Sequence, residues 1–127
     1  MNNPVAMLRS CKDGDDVHML LWFVCPGCKA QGDGFTGLHA LPVNGQSGKR
    51  PNWRFDGNLE APTLEPSILS RGGAVEGFVC HSFLRGGVFE FLSDCTHPLK
   101  DQKVPIGPLP DWFCREEQVE VDPKSDS

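Results

Sequence analysis

The chain reads as a small, mostly β fold: hairpins and sheet with long loops and little helix. Its 14 Gly and 11 Pro in 127 residues punctuate it too often for long helices. No stretch repeats its apolar residues at helical spacing, whereas several short runs rich in Val, Phe and Leu lie between turn residues. The length suits one domain with a modest core, small enough to gain from a staple.

Val17 to Val24 is an apolar-rich run and reads as a buried strand ending at Cys25-Pro26-Gly27-Cys28. Lys29 to Gly37 is polar and Gly-rich, hence a loop. His39 to Val43 reads as a return strand, which makes 17–43 a long-looped hairpin. Asn44 to Pro51 is a connector. Trp53 to Phe55 is a short extended piece closed by a turn at Asp56-Gly57. Ala61 to Leu69 is extended because Pro62 and Pro66 push the residues before them out of the helical region. After a break at Arg71-Gly72-Gly73, the clearest strands are Gly77 to Leu84 and Val88 to Ser93, joined by Arg85-Gly86-Gly87. From Pro98 the chain is proline-punctuated, with Trp112-Phe113 as an anchor onto the core. Residues 1–115 form the single domain, and 116–127 an acidic flexible tail.

The net charge of −5 and the lack of a basic run exclude the phosphate-neutralising surface of a typical nucleic-acid binder. No apolar run approaches the ~20 residues of a membrane span, and the start lacks the basic and apolar regions of a signal peptide. The expected site of action is the cytoplasm, where the six cysteines are reduced thiols or metal ligands. Cys11 and Cys114 have no ligand-bearing neighbour and read as packed thiols. His18 reads as an exposed strand residue. Trp53, Phe55, Phe83, Phe89, Phe91 and Trp112 read as core. Asp13, Asp15 and Asp16 lack the Gly and distal Glu spacing of a calcium loop and read as a solvated turn.

Cys25 and Cys28 form a C-x2-C half-site, the commonest sequence form of a structural zinc site. A thioredoxin-like dithiol would precede a helix in a βαβ pattern, which Lys29 to Gly37 does not resemble. Two more ligands are needed. Cys80 is the preferred third because a strand holds it rigidly. His39 is preferred as the fourth, with Cys95 and His97 as alternatives. Four protein ligands would close the site. Three plus a water would give a centre able to activate that water.

The second hairpin carries a geometric argument. A two-residue turn at Gly86-Gly87 places Cys80 opposite Ser93 and His81 opposite Leu92. Alternation then sends Cys80, Ser82, Ser93 and Cys95 to one face and His81, Phe83, Leu92 and Asp94 to the other. His81 and Asp94 become diagonal neighbours. A carboxylate on one ring nitrogen fixes the tautomer and makes the other more basic, which suits a general base or a metal-bound His.

Cys25-Pro-Gly-Cys28, Trp53-Arg-Phe-Asp-Gly57, Ala61-Pro-Thr-Leu-Glu-Pro-Ser-Ile68, Cys80-His-Ser-Phe83 and Ser93-Asp-Cys-Thr-His97 occur in that order. Together they resemble a small family of tailed-phage and prophage proteins over roughly residues 17–110. Members often carry the label ammonia monooxygenase, which nothing in this chain supports. That family is similar to proteins encoded beside bacterial ubiquitin-like conjugation systems, for which a peptidase role has been suggested. The resemblance implies Ser67 as nucleophile and His81 as base, with the metal half-site at Cys25 and Cys28. In relatives a His often follows the CPGC turn closely, whereas here Lys29 to Leu38 intervene before His39.

A Ser after Pro most often closes a turn, and its hydroxyl attacks only when a base takes its proton. His81 oriented by Asp94 would supply that base, and Thr63 and Ser82 are weaker hydroxyl candidates. The leading expectation is therefore a zinc-stapled peptidase: catalytic Ser67, His81 and Asp94, with Zn2+ on Cys25, Cys28, His39 and Cys80. It would act on a protein or peptide, including ubiquitin-like substrates, with no nucleic-acid or membrane partner. The alternatives are a non-catalytic zinc module that binds a host protein and a zinc metallohydrolase.

Overall fold

The computed structural model describes residues 3–14, 16–30, 36–44, 52–71 and 76–114. The expected tail, 116–127, and the Gly72-Gly73 break lie outside these. The elements are β1 (Met7–Asp13), β2 (Asp16–Val24), α1 (Pro26–Lys29), β3 (Leu38–Val43), β4 (Arg54–Phe55), β5 (Leu64–Arg71), β6 (Val79–Arg85), β7 (Val88–Phe91) and β8 (Lys103–Pro105). They form a three-stranded sheet, β1-β2-β3, and a five-stranded sheet, β4-β5-β6-β7-β8, with antiparallel neighbours throughout. The mostly β architecture is the one the sequence predicts, and within each sheet neighbouring strands are consecutive in the chain.

The sheets bury one core between them. Leu21, Phe23 and Val43 come from the smaller sheet, and Leu64, Ile68, Leu84, Phe89 and Phe91 from the larger. The Phe23 and Phe89 rings meet across it at 5.9 Å. Trp53 joins the sheets through the backbone: its N–H donates to Pro42 O and its carbonyl accepts from Asn44 N–H, both at 2.9 Å.

Gly86 and Gly87 adopt positive φ (57° and 79°), so the β6–β7 connection is the two-residue turn that the sequence suggested. Arg85 pairs with Val88 and Ser82 with Phe91. Cys80, Ser82 and Leu84 are buried, while Val79, His81 and Phe83 are half-buried on the opposite face.

The structure departs from the sequence reading in several places. Met7–Asp13 is a strand that the sequence reading did not foresee, because Arg9 and Lys12 mask an edge strand's weak alternation. With β1 present, β2 is a central strand, so His18 is buried at 7 % exposure instead of exposed. Trp112 is 41 % exposed, and its neighbour Phe113 is the anchor, packed on Trp22 at 5.1 Å between ring centres. Lys103–Pro105 adds the edge strand β8, where a proline is tolerated.

Candidate active site and metal cluster

Cys25-Pro-Gly-Cys28 begins a single helical turn, with Pro26 in the first position, where no amide donor is lost. Cys25 N–H donates to Gly37 O at 2.7 Å, which closes the loop and starts β3 so that His39 returns to the cysteines. Gly37 is obligatory there. Its φ is 74°, and a Cβ would stand 2.4 Å from Cys25 O.

The ligand atoms of Cys25, Cys28 and His39 all lie within 4.8 Å of one another. His39 Nε2 is 3.3 Å from Cys28 Sγ, and Cys80 Sγ is 3.7 Å from Cys25 Sγ. This cluster of soft donors could hold a metal ion. Crowding makes the sulfurs share charge unequally. Hydrogen bonds from Cys25 and Cys80, with help from His39, pull the Cys28 thiol well below its ordinary value. The Cys25 thiol is pushed up to about 12, chiefly because it bonds to the Cys28 sulfur, and that of Cys80 is pushed up by Cys25 and Cys28. A site that favours one thiolate and resists the next is short of positive charge.

The two alternative ligands differ in what engages them. Cys95 Sγ lies 3.2 Å from both the backbone N and the O of His81. His97 Nδ1 accepts the Leu99 N–H at 3.2 Å. With Nδ1 accepting, the hydrogen sits on Nε2, which is buried without a hydrogen-bond partner among the described residues. Burial lowers the pKa of His97, which favours the same neutral ring.

On the outer face of the larger sheet, Ser67 Oγ lies 3.0 Å from His81 Nε2, and His81 Nδ1 lies 2.9 Å from Asp94 Oδ2. The three residues come from β5, β6 and the turn after β7. β5 pairs Leu64 with Leu84 and then Ile68 with Ser82, so Glu65, Pro66 and Ser67 stand where β6 has only Phe83. This irregularity, which includes a cis Glu65–Pro66 peptide, presents Ser67 to the next strand. Asp94 reaches His81 through a turn, Cys95 N–H to Leu92 O at 3.2 Å, because β7 ends at Phe91. Nδ1–H donates to the carboxylate, so Nε2 offers its lone pair to the Ser67 hydroxyl.

The other hydroxyl candidates are committed elsewhere. Thr63 Oγ1 accepts Gly86 N–H at 2.7 Å, and Ser82 is buried at 1 % exposure. Trp53 contributes what its reading as core did not suggest: its indole N–H donates to Ser67 O at 3.2 Å. Two grooves adjoin the constellation. One of about 590 Å³ is lined by His81, Asp94, Glu90 and Lys103. The other, of about 470 Å³, is lined by Arg54, Glu65, Pro66, Phe83 and Arg85. Both are within the range of small-ligand and peptide clefts.

The family described as bacterial ubiquitination-like system serine protease (BubE) matches residues 4–92, more than half of the chain. The chain belongs to that family. The BubE match includes Ser67, His81, Cys25, Cys28, His39 and Cys80, and it ends before Asp94. No curated protein and no solved structure is significantly similar to the chain. Among the described residues, no helix is long and apolar enough to cross a membrane.

Proposed function

We propose that this chain is a serine peptidase in which Ser67 is the nucleophile, His81 the general base and Asp94 the group that orients His81. One observation carries the reading: an unbroken hydrogen-bonded line from Asp94 through both ring nitrogens of His81 to the Ser67 hydroxyl. Ser67 Oγ attacks the scissile carbonyl carbon as its proton passes to His81 Nε2. The C–N bond then breaks, and Nε2–H protonates the departing amine. Water hydrolyses the acyl-enzyme by the same base. The family's description supports a substrate that is a ubiquitin-like protein or its conjugate.

In this reading the ion is Zn2+, held by Cys25, Cys28, His39 and Cys80. Three thiols and one imidazole suit zinc, and four protein ligands make a structural site. The cysteines are 3 %, 6 % and 2 % exposed in that order, which disfavours a metal-bound water open to substrate. All six cysteines are free, as in a reducing bacterial cytoplasm, and the sequence motifs favour a phage or prophage source.

The test is labelling by an alkyl fluorophosphonate, in which the Ser67 Oγ–P bond forms, fluoride leaves and the proton goes to His81. Wild-type protein should be labelled at Ser67 and should cleave a ubiquitin-like protein conjugate. Ser67→Ala should lose both while its zinc content stays unchanged. Activity that survives Ser67→Ala but is lost to a chelator would establish the metallohydrolase instead. Neither labelling nor cleavage would leave the zinc module that binds a host protein.

A further inference from the structure

We infer that Cys95, together with Thr96, is a positioning residue that clamps the Asp94 turn onto the strand carrying His81. This rests on the proposed serine mechanism and concerns residues beyond the stretch that the family match covers.

The regular β6–β7 ladder ends at Ser82–Phe91. One further backbone bond comes next, Leu92 N–H to His81 O at 2.9 Å, and the chain then turns away through Ser93 and Asp94. An acid on such a turn, 54 % exposed at its side chain, has little of its own to hold it against the imidazole. The two residues after Asp94 supply the hold. Cys95 points inward at 4 % exposure, and its sulfur accepts His81 N–H and donates to His81 O. Leu92 O is turned to Cys95 N–H, so the sulfur takes its place as acceptor for His81 N–H and adds a second donor to His81 O. Thr96 repeats the device two residues back along β6. Its N–H donates to Val79 O at 3.0 Å, and its Oγ1 accepts Val79 N–H at 3.0 Å.

Asp94 is therefore bracketed by Leu92 before it and by Cys95 and Thr96 after it, and all three attach to β6. Two of the attachments use side chains, so the chemistry of those side chains matters. Valine or alanine at 95 would leave the His81 N–H without its acceptor, while His81 O would keep only the Leu92 N–H. Serine would keep a group that both donates and accepts, though on a shorter bond. The occupation of Cys95 also accounts for a cysteine in this buried position without making it a metal ligand.

The experiment compares Cys95→Ala, Cys95→Ser and Thr96→Val in the zinc-loaded full-length protein. Three properties are read: the rate of fluorophosphonate labelling against pH, the downfield proton resonance of the His81–Asp94 hydrogen bond, and zinc per chain. For Cys95→Ala the labelling rate should fall by about tenfold to a hundredfold, the size of effect that a slight misplacement of reacting groups produces. The imidazole resonance should broaden or vanish, and zinc should remain at the wild-type level. Cys95→Ser should recover most of the rate and the resonance, while Thr96→Val should move both the same way by less. Wild-type labelling and an intact resonance in Cys95→Ala would overturn the clamp. So would loss of zinc as complete as in Cys80→Ala, which would make Cys95 a ligand. If Cys95→Ala does not fold, an unchanged resonance in Thr96→Val overturns the proposal. An unlabelled wild type would sink the hydrolase reading alone, because the resonance reports the clamp without any reaction.

Discussion

Replacing Gly27 by Ala sets two effects of opposite sign against each other. Helix propensity favours Ala over Gly by about 1 kcal/mol in a helix interior, and by less in a single turn such as α1. Against that, the added Cβ would stand 2.5 Å from His97 Nε2, 2.7 Å from Phe91 Cε1 and 2.8 Å from Cys80 Sγ. No single rotation relieves three such contacts. Phe91 is stacked on Phe89 at 5.8 Å, His97 is held by Leu99 N–H, and Cys80 is fixed in β6. Overpacking of this kind costs about 1–3 kcal/mol, so the steric term wins and a net loss of about 1–2 kcal/mol is expected. Because Cys80 Sγ is one of the displaced atoms, metal binding should weaken as well. The assay is chemical denaturation of metal-loaded protein, with elemental analysis of the same samples. A Gly27→Ala protein as stable as wild type with a full complement of metal would refute the close approach of α1, Cys80 and His97.

Asp94→Asn should slow labelling of Ser67 by about 10³–10⁴-fold, because an amide at Nδ1 no longer enforces the tautomer that leaves Nε2 free to accept. A loss of less than tenfold, measured by mass spectrometry over time, would remove Asp94 from its role. His39→Ala should lower metal content sharply. His97→Asn should not, since an Asn oxygen can still accept Leu99 N–H, and elemental analysis separates the two. Stability of the metal-free protein should fall as pH rises from 9.0 toward about 12, the window in which Cys25 stays protonated when folded but ionises when unfolded. The raised Cys80 acts in the same direction. The stability that comes from the depressed Cys28 is already complete above 9.0 and does not offset the fall. The metal-bound form, with its thiols already ionised, should show no such slope in denaturation midpoints.

The β-rich fold was legible because its signals are local: turn residues at Gly86-Gly87 and an apolar run from Val17 fixed two hairpins and the faces of β6. The approach of Cys25 to Cys28 was legible from spacing, and strand alternation put Asp94 beside His81, although the contact is made by a turn because β7 ends at Phe91. Other features were not. β1 lacks a clean pattern, and without it the burial of His18 could not be foreseen. The place of Ser67 depends on three residues of β5 facing one of β6, an irregularity that no propensity specifies. That His39 returns to Cys28 while Cys95 bonds the backbone of His81 depends on contacts between separate elements, which spacing does not encode. The fit of Trp53 against Ser67 O belongs to the same class.

Cys80 and His81 are consecutive, so alternation sends one inward to the sulfur cluster and the other outward to Ser67. The cluster draws Cys25, Cys28 and His39 from the three-stranded side and Cys80 from the five-stranded side, so an ion there would tie the two sheets together. The hydroxyl, imidazole and carboxylate all belong to the five-stranded sheet and its connecting turn, and their spacing is set by that sheet's own hydrogen bonds. The two constellations share a strand but no ligand atoms. Chelation should therefore lower the folded fraction while leaving the labelling rate of each folded molecule close to that of the metal-bound protein. Measuring the rate alongside near-UV circular dichroism separates these quantities. A chelated protein that stays folded but is no longer labelled would mean that the ion acts on the outer face, against the arrangement of β6.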